Sequence, residues 1–221
     1  MSLSFGILCF PNVQQLDLTG PYEVFASAPD TRVSLVWKNR EPLRASTGLW
    51  LKPDLTFEEA PDFDVLCMPG GAGINALLTD EEALAFIRAK AARARYITAV
   101  CTGSLVLGRA GLLTGRRATT HWNAHDFLPR FGAIPERARI VRDGNLITAG
   151  GVTSGIDFGL AVIAEVMGRD AAEMIQLALE YAPEPPFTSG TPDQARPEIL
   201  AATRLRIDAS RRERAAILGQ G

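Results

Sequence analysis

Cysteine and histidine are scarce in this chain. Its 221 residues hold three of the first and two of the second. Three cysteines do not make a disulfide framework in a chain this long, so the fold has to rest on its core. Cys9 and Cys67 lie in the apolar runs GILCF and VLCMP, where cysteine behaves as a small buried hydrophobe. His121 and His125 are four apart and would share a face of a helix. No Glu follows His121, however, so the zinc-protease arrangement HExxH is missing. With no CxxC pair and no carboxylate–histidine cluster, no metal site is expected.

Excess charge of one sign is missing as well. Lys and Arg number 23 against 25 Asp and Glu, a net charge of −2, which leaves no general attraction to nucleic acid. No apolar run approaches the roughly 20 residues of a membrane-spanning helix. The N-terminus enters a strand-like segment at residues 4–10 without a basic leader or cleavage pattern, so a cytoplasmic protein with no membrane partner is expected. Internal repeats and low-complexity segments are absent. Apolar residues at 47% and charged residues at 22% suit a soluble globular protein, and the length suits one α/β domain.

What is present is a set of short apolar runs alternating with helical patterns. Strands are predicted at residues 5–10, 33–37, 65–68 and 97–100, with a strand pair around 50–57. Asp143-Gly144 between two apolar runs predicts a hairpin over 140–148. Thr79–Glu82 reads as a capping box opening a helix, Ser154 with Asp157 as the cap of the next, and 171–181 as a helix with Met174, Leu177 and Tyr181 on one face. Strands separated by helices predict a doubly wound, mostly parallel sheet with its ligand site beyond the carboxyl ends of the strands. Residues 183–197, with five prolines, read as an extended connector. An Arg/Ala-rich surface helix follows, its basic residues alternating with acids as on a solvated face. The expected division is an α/β domain over 1–182, with 183–221 belonging to the same domain.

Three unusual stretches fall at predicted strand ends. The first is YITAVCTGSLVLGRAG, residues 96–111, which reads as a buried strand, a sharp turn and a helix with Cys101 on the turn. A thiol there sits at the positive end of a helix, which favours the thiolate. The second is MPGGAG, residues 68–73, whose glycines permit close approach of backbone N–H groups to an anion. It fits neither GxGxxG nor a nucleotide phosphate loop, and gains meaning beside Cys101, where the two turns can form an oxyanion hole. The third is PNVQQLDLTGPYEVF, where Asp17 lies between two leucines. A buried carboxylate needs a reason: a role in chemistry, a pairing with an arginine, or a cap on a helix starting near Pro21. Glu23, on a first-turn helix position, is the weaker acid candidate.

These residues resemble a known family. AVCTGSLVLGRAGLL, RRATTHW, DLTGP and MPGG are similar to the DJ-1/PfpI superfamily over about residues 4–185. Within it, FPNVQQLDLTGPYEV, CMPGGAG, VCTGSLVLGRAGLLTGRRATTHW, RDGNLITAGGVTSGIDF and QLALEYAPEPPF match the bacterial isocyanide hydratases in order and spacing. The resemblance implies a flavodoxin-like sandwich, a homodimer, no cofactor, and hydration of an isocyanide to an N-substituted formamide through a cysteine thioimidate. It puts the nucleophile on Cys101, the backbone oxyanion donors on the amides of Gly71 and Thr102, and the acid beside the thiol on Asp17, where the superfamily more often has Glu. Thr102 stands where PfpI-type peptidases carry a histidine, which argues against Cys–His catalysis. His121 lies in the shared ATTHW segment, in an orienting role, and Trp122 with apolar neighbours would house the substrate's R group. Rival readings are a glyoxalase or deglycase acting on small dicarbonyls, an oxidation sensor built on Cys101, and a ligand-sensing domain. For the last, too few residues follow Pro197 to make the double helix-turn-helix module of about 100 residues that such regulators append.

Overall fold

The computed structural model describes residues 2–219. The apolar runs become strands. They are β1 (Leu3–Leu8), β2 (Thr31–Trp37), β6 (Val65–Met68), β7 (Tyr96–Val100) and the hairpin β10 (Ile140–Asp143) and β11 (Leu146–Ala149). Of these, β6, β7 and β11, inside the sheet, are buried on both faces, as a parallel sheet requires. Between β2 and β6 lie three two-residue strands, β3 (Leu43–Arg44), β4 (Trp50–Leu51) and β5 (Leu55–Thr56). β8 (Arg117–Ala118) and β9 (Ile134–Pro135) form a small separate pair. The main sheet has seven strands in the order β10-β11-β7-β6-β1-β2-β5, parallel throughout except for the β10–β11 hairpin. The strand pair predicted around 50–57 does not form: β4 pairs with β3, while β5 joins the edge of the main sheet beside β2.

The sheet is flanked by α1 (Gln15–Ala26), α2 (Ile74–Leu77), α3 (Glu81–Ala91), α4 (Gly103–Arg109), α5 (Ser154–Met167), α6 (Arg169–Ala178) and α7 (Pro197–Gly219). The rings of Phe5, Phe25 and Phe158 join β1, α1 and α5, with the first two stacked at 4.5 Å and the last edge-on at 6.2 Å. The helix expected near Pro21 begins at Gln15 instead and carries Pro21 inside it. Asp17 therefore stands in the first turn rather than capping a later helix.

Two caps differ from expectation. Asp80, not Thr79, caps α3, its Oδ1 accepting from the N–H of Ala83 at 3.1 Å. At α5 the cap position is Thr153 without a side-chain bond, because Asp157 is engaged by Arg139 and by the hydroxyl of Tyr181. The face of α6 carrying Met174 and Leu177 points to solvent, with 63% and 82% exposure, while Ala172 and Ile175 turn inward. The C-terminal helix α7 is not solvated all round. Arg214 is buried on it, and Arg211 forms a bidentate pair with Asp126 at 2.9 and 2.6 Å. No helix among the described residues is long and apolar enough to cross a membrane.

Candidate active site

The site is assembled where three chain segments meet at the carboxyl ends of β1, β6 and β7. Cys101 is the elbow between β7 and α4. Its φ is +57°, a left-handed conformation that a side-chain-bearing residue adopts at a cost of roughly 1–2 kcal/mol. Four hydrogen bonds hold it there. Its N–H donates to the carbonyls of Ala149 (3.0 Å) and Gly150 (2.8 Å), and its carbonyl accepts from the hydroxyls of Thr120 (2.9 Å) and Ser104 (3.2 Å). Cys101 is 5% exposed.

Asp17 reaches the elbow from the first turn of α1 and is fully buried. Its Oδ2 accepts from the N–H of Gly70 at 3.0 Å, its carboxyl lies beside the Cys101 side chain, and its Oδ1 has no partner. Burial pushes the carboxyl up to about 7, against the pull of the Cys101 side chain and the Gly70 N–H. The third segment is the glycine loop after β6. A Cβ on Gly70 would lie 2.6 Å from the Thr102 nitrogen and 2.8 Å from Asp17 Oδ2, so only glycine leaves room for the carboxyl beside the elbow.

Thr102 connects the loop to the sulfur. Its Oγ1 accepts from the Gly71 N–H at 3.1 Å, and its N–H and hydroxyl lie beside the sulfur. The sequence favours the thiolate through the dipole of α4. The structure sets against it, first, burial and, second, the Asp17 charge, which together push the Cys101 thiol well above its ordinary value, with Thr102 opposing. Sulfur and carboxyl behave as one titrating pair.

His121 is the N-cap of the 3₁₀ helix Trp122–Phe131, its Nδ1 accepting from the Asn123 N–H at 3.2 Å. Burial first, and then the Arg214 and His125 charges, lower it to about 4, so it is neutral near pH 7. His125 lies inside that helix. With three residues per turn the two rings do not share a face, and His125 Nε2 meets the Thr119 hydroxyl at 3.2 Å. His121 and Trp122 line a cavity of about 470 Å³ with Thr120, Arg139, Gly150 and Val152. Thr120 and Gly150 are the residues that bond the Cys101 backbone, so the cavity abuts the elbow. Glu23 is exposed on α1, away from this cluster. Cys9 and Cys67 are buried thiols pushed up to about 12 by that burial. No cluster of three potential metal ligands occurs among the described residues.

The chain is similar to proteins of known family. The model for the DJ-1/PfpI family matches residues 4–165. The chain belongs to the DJ-1/PfpI family. Among relatives, the isonitrile hydratase of Pseudomonas putida is 58% identical over 217 residues, which are 98% of this chain and 95% of that protein. The crystal structure of a ThiJ/PfpI family protein from Pseudomonas syringae superposes with a TM-score of 0.96 at 42% identity, covering 99% of this chain and 91% of that one. A helix-turn-helix-type transcriptional regulator of Pseudomonas aeruginosa is 36% identical over 141 residues, which are 62% of this chain and 38% of the regulator. The match to that hydratase covers 98% of this chain, so it extends over the segments that carry Asp17, the glycine loop and the elbow.

Sequence reasoning found Asp17, Gly71, Cys101 and Thr102, and the structure brings all four together. It missed Gly70, whose amide holds Asp17. The signal was present in the paired glycines, but pattern alone does not say which amide meets which group. It also missed Arg214, whose burial has no local signature.

Proposed function

We propose that this chain hydrates an isocyanide, R–N≡C, to an N-substituted formamide, as a cytoplasmic, cofactor-independent homodimer. The observation that carries the reading is the fully buried Asp17 carboxyl beside the Cys101 elbow, held by the Gly70 N–H through one oxygen and unpartnered at the other. The terminal carbon of an isocyanide must gain both a nucleophile and a proton, and this pair supplies the two together. Cys101 attacks that carbon as the thiolate, Asp17 delivers a proton to it, and a thioimidate R–N=CH–S–Cys101 forms. Water then adds to the same carbon, the C–S bond breaks, and R–NH–CHO leaves with Cys101 regenerated. A carboxyl poised at about 7 is suited to giving a proton in the first half and taking one from water in the second. The unpartnered Oδ1 is the oxygen free to do so. Thr102, whose N–H and hydroxyl oppose the rise of the thiol, would stabilise the sulfur as it gains and loses charge. The cavity beside Trp122 and Val152 is where R would sit.

The test follows formamide formation from simple alkyl and aryl isocyanides, with wild type and Cys101→Ala side by side. Cys101→Ala is expected to keep the wild-type thermal midpoint within a few degrees and to lose turnover. No formamide from folded wild type, with turnover of small dicarbonyls instead, would replace this reading with a glyoxalase-type one.

A further inference from the structure

Asp17 and Arg214 are the charged side chains buried among the described residues, at 0% and 5% exposure. The reaction proposed above uses Asp17 and leaves Arg214 without a task. A guanidinium taken out of water is costly unless something compensates its charge. The hydrogen bonds of Arg214 go to neutral atoms: Nε donates to Asn75 Oδ1 at 3.1 Å and Nη2 to Ser210 Oγ at 3.4 Å, and the Phe127 ring lies 6.0 Å away.

The walls of this arginine's site are also walls of the nucleophile's site. Asn75 opens α2 directly after the glycine loop that holds Asp17, and it is itself clamped to α7, its Nδ2 donating to the Ser210 carbonyl at 3.0 Å and Glu213 Oε2 at 2.8 Å. Phe127 lies on the 3₁₀ helix that His121 caps, and Thr120, next to His121, bonds the Cys101 carbonyl. α7 thus spans the two loops that flank the elbow. The charged and titratable groups facing Arg214 are Glu213 and Arg211 on its own helix, His121 on the 3₁₀ segment and Cys101 at the elbow, with His125 and Asp126 beyond His121 and Asp17 beyond Cys101.

We propose that Arg214 is a positioning residue for the nucleophile: carried by the C-terminal helix, its guanidinium is the counter-cation that lets Cys101 work as a thiolate beside the Asp17 carboxyl. Without it the elbow holds one buried sulfur and one buried carboxyl, and every negative charge there is opposed. The first turn of α4 offers a partial positive charge of roughly half a unit, less than the full charge of a guanidinium. The directions of titration agree. Burial lowers Arg214, and Cys101 is the leading charge acting the other way. The same guanidinium helps keep His121 neutral.

The inference rests on Cys101 being the nucleophile but not on an isocyanide being the substrate, so the two readings fail separately. The test is the rate of Cys101 alkylation by iodoacetamide in the full chain as a function of pH, with the alkylated peptide identified by mass. Arg214→Gln is expected to move the alkylation profile up by about one pH unit, which is about a tenfold loss of rate on its rising limb. Arg214→Lys is expected to restore most of it. Ser210→Asp is the second variant. It sets a carboxylate beside Nη2 of the guanidinium and leaves Asn75 intact, so it should shift the profile in the same direction with the arginine still in place. With an isocyanide as substrate, kcat should fall in parallel while KM stays within about twofold. A folded Arg214→Gln chain with the wild-type alkylation profile overturns the proposal. So does an unshifted Ser210→Asp profile, should Arg214→Gln not fold.

Discussion

Asp17 is the residue at which stability and chemistry pull in opposite directions. Its carboxyl stands at about 7 in the folded chain against an ordinary 3.8. As pH rises from about 4 to about 7 the unfolded chain releases this proton while the folded chain keeps it, so the folded state loses stability across that window, by about 4 kcal/mol in full. Asp17→Asn removes the titration and keeps an oxygen for the Gly70 N–H. The variant should be more stable than wild type at pH 8, with the difference vanishing near pH 4 and turnover falling about a hundredfold or more. Denaturant midpoints at the two pH values, with formamide assays beside them, check both halves; equal stability at pH 8 would mean the carboxyl is not raised. Asp17 and Cys101 are legible in sequence because each breaks a pattern, an acid between leucines and a thiol ending an apolar strand. Arg214 breaks none. It stands in a helix of alternating charges, and only the docking of α7 onto Asn75 and Phe127 distinguishes it from its exposed neighbours.

At the scale of elements, the 3₁₀ helix Trp122–Phe131 hangs on His121. The imidazole caps it as a neutral acceptor, which is consistent with a ring lowered to about 4. His121→Ala should destabilise the chain by about 1 kcal/mol, and His121→Asn, a good cap, should recover most of that. Neither should move the pH profile of turnover between pH 5 and 8, because no titration of His121 falls there. Thermal midpoints and rate profiles of the two variants decide this; a lost limb near pH 6.5 would show a titrating histidine instead. The inner strands β6, β7 and β11 were readable because a strand buried on both faces must be largely apolar. The two-residue strands β3, β4 and β5 carry too few side chains to leave a period, and their partners are set by what packs around them. α6 illustrates the limit of periodicity. The spacing of Met174 and Leu177 specifies a face, yet says nothing about what that face meets.

Over the whole molecule, that face becomes a statement about assembly. Met174 and Leu177 on α6 and Phe187 on the connector, at 63%, 82% and 79% exposure, leave apolar side chains in solvent on a single chain. The proposed homodimer gives such groups a place to be buried. Sedimentation velocity of wild type should give the mass of two chains, and Leu177→Glu should shift it towards one if α6 is part of the contact. A monomeric wild type would remove the dimer from the proposal. Assembly also decides how the site is put together. Asp17, Gly70, Cys101 and Arg214 come from distant parts of the chain, so a complete site exists only once the sheet has formed and α7 has closed over the glycine loop.

The elbow has a mechanical side. Cys101 is fastened through its amide to two carbonyls and through its carbonyl to two hydroxyls. A main chain pinned from both sides cannot recoil. When the sulfur takes up a carbon and gives it back, the displacement falls on the substrate and on the side chains around it. The thiol then returns to the same starting position after each cycle, and the elbow works as an anvil rather than a hinge.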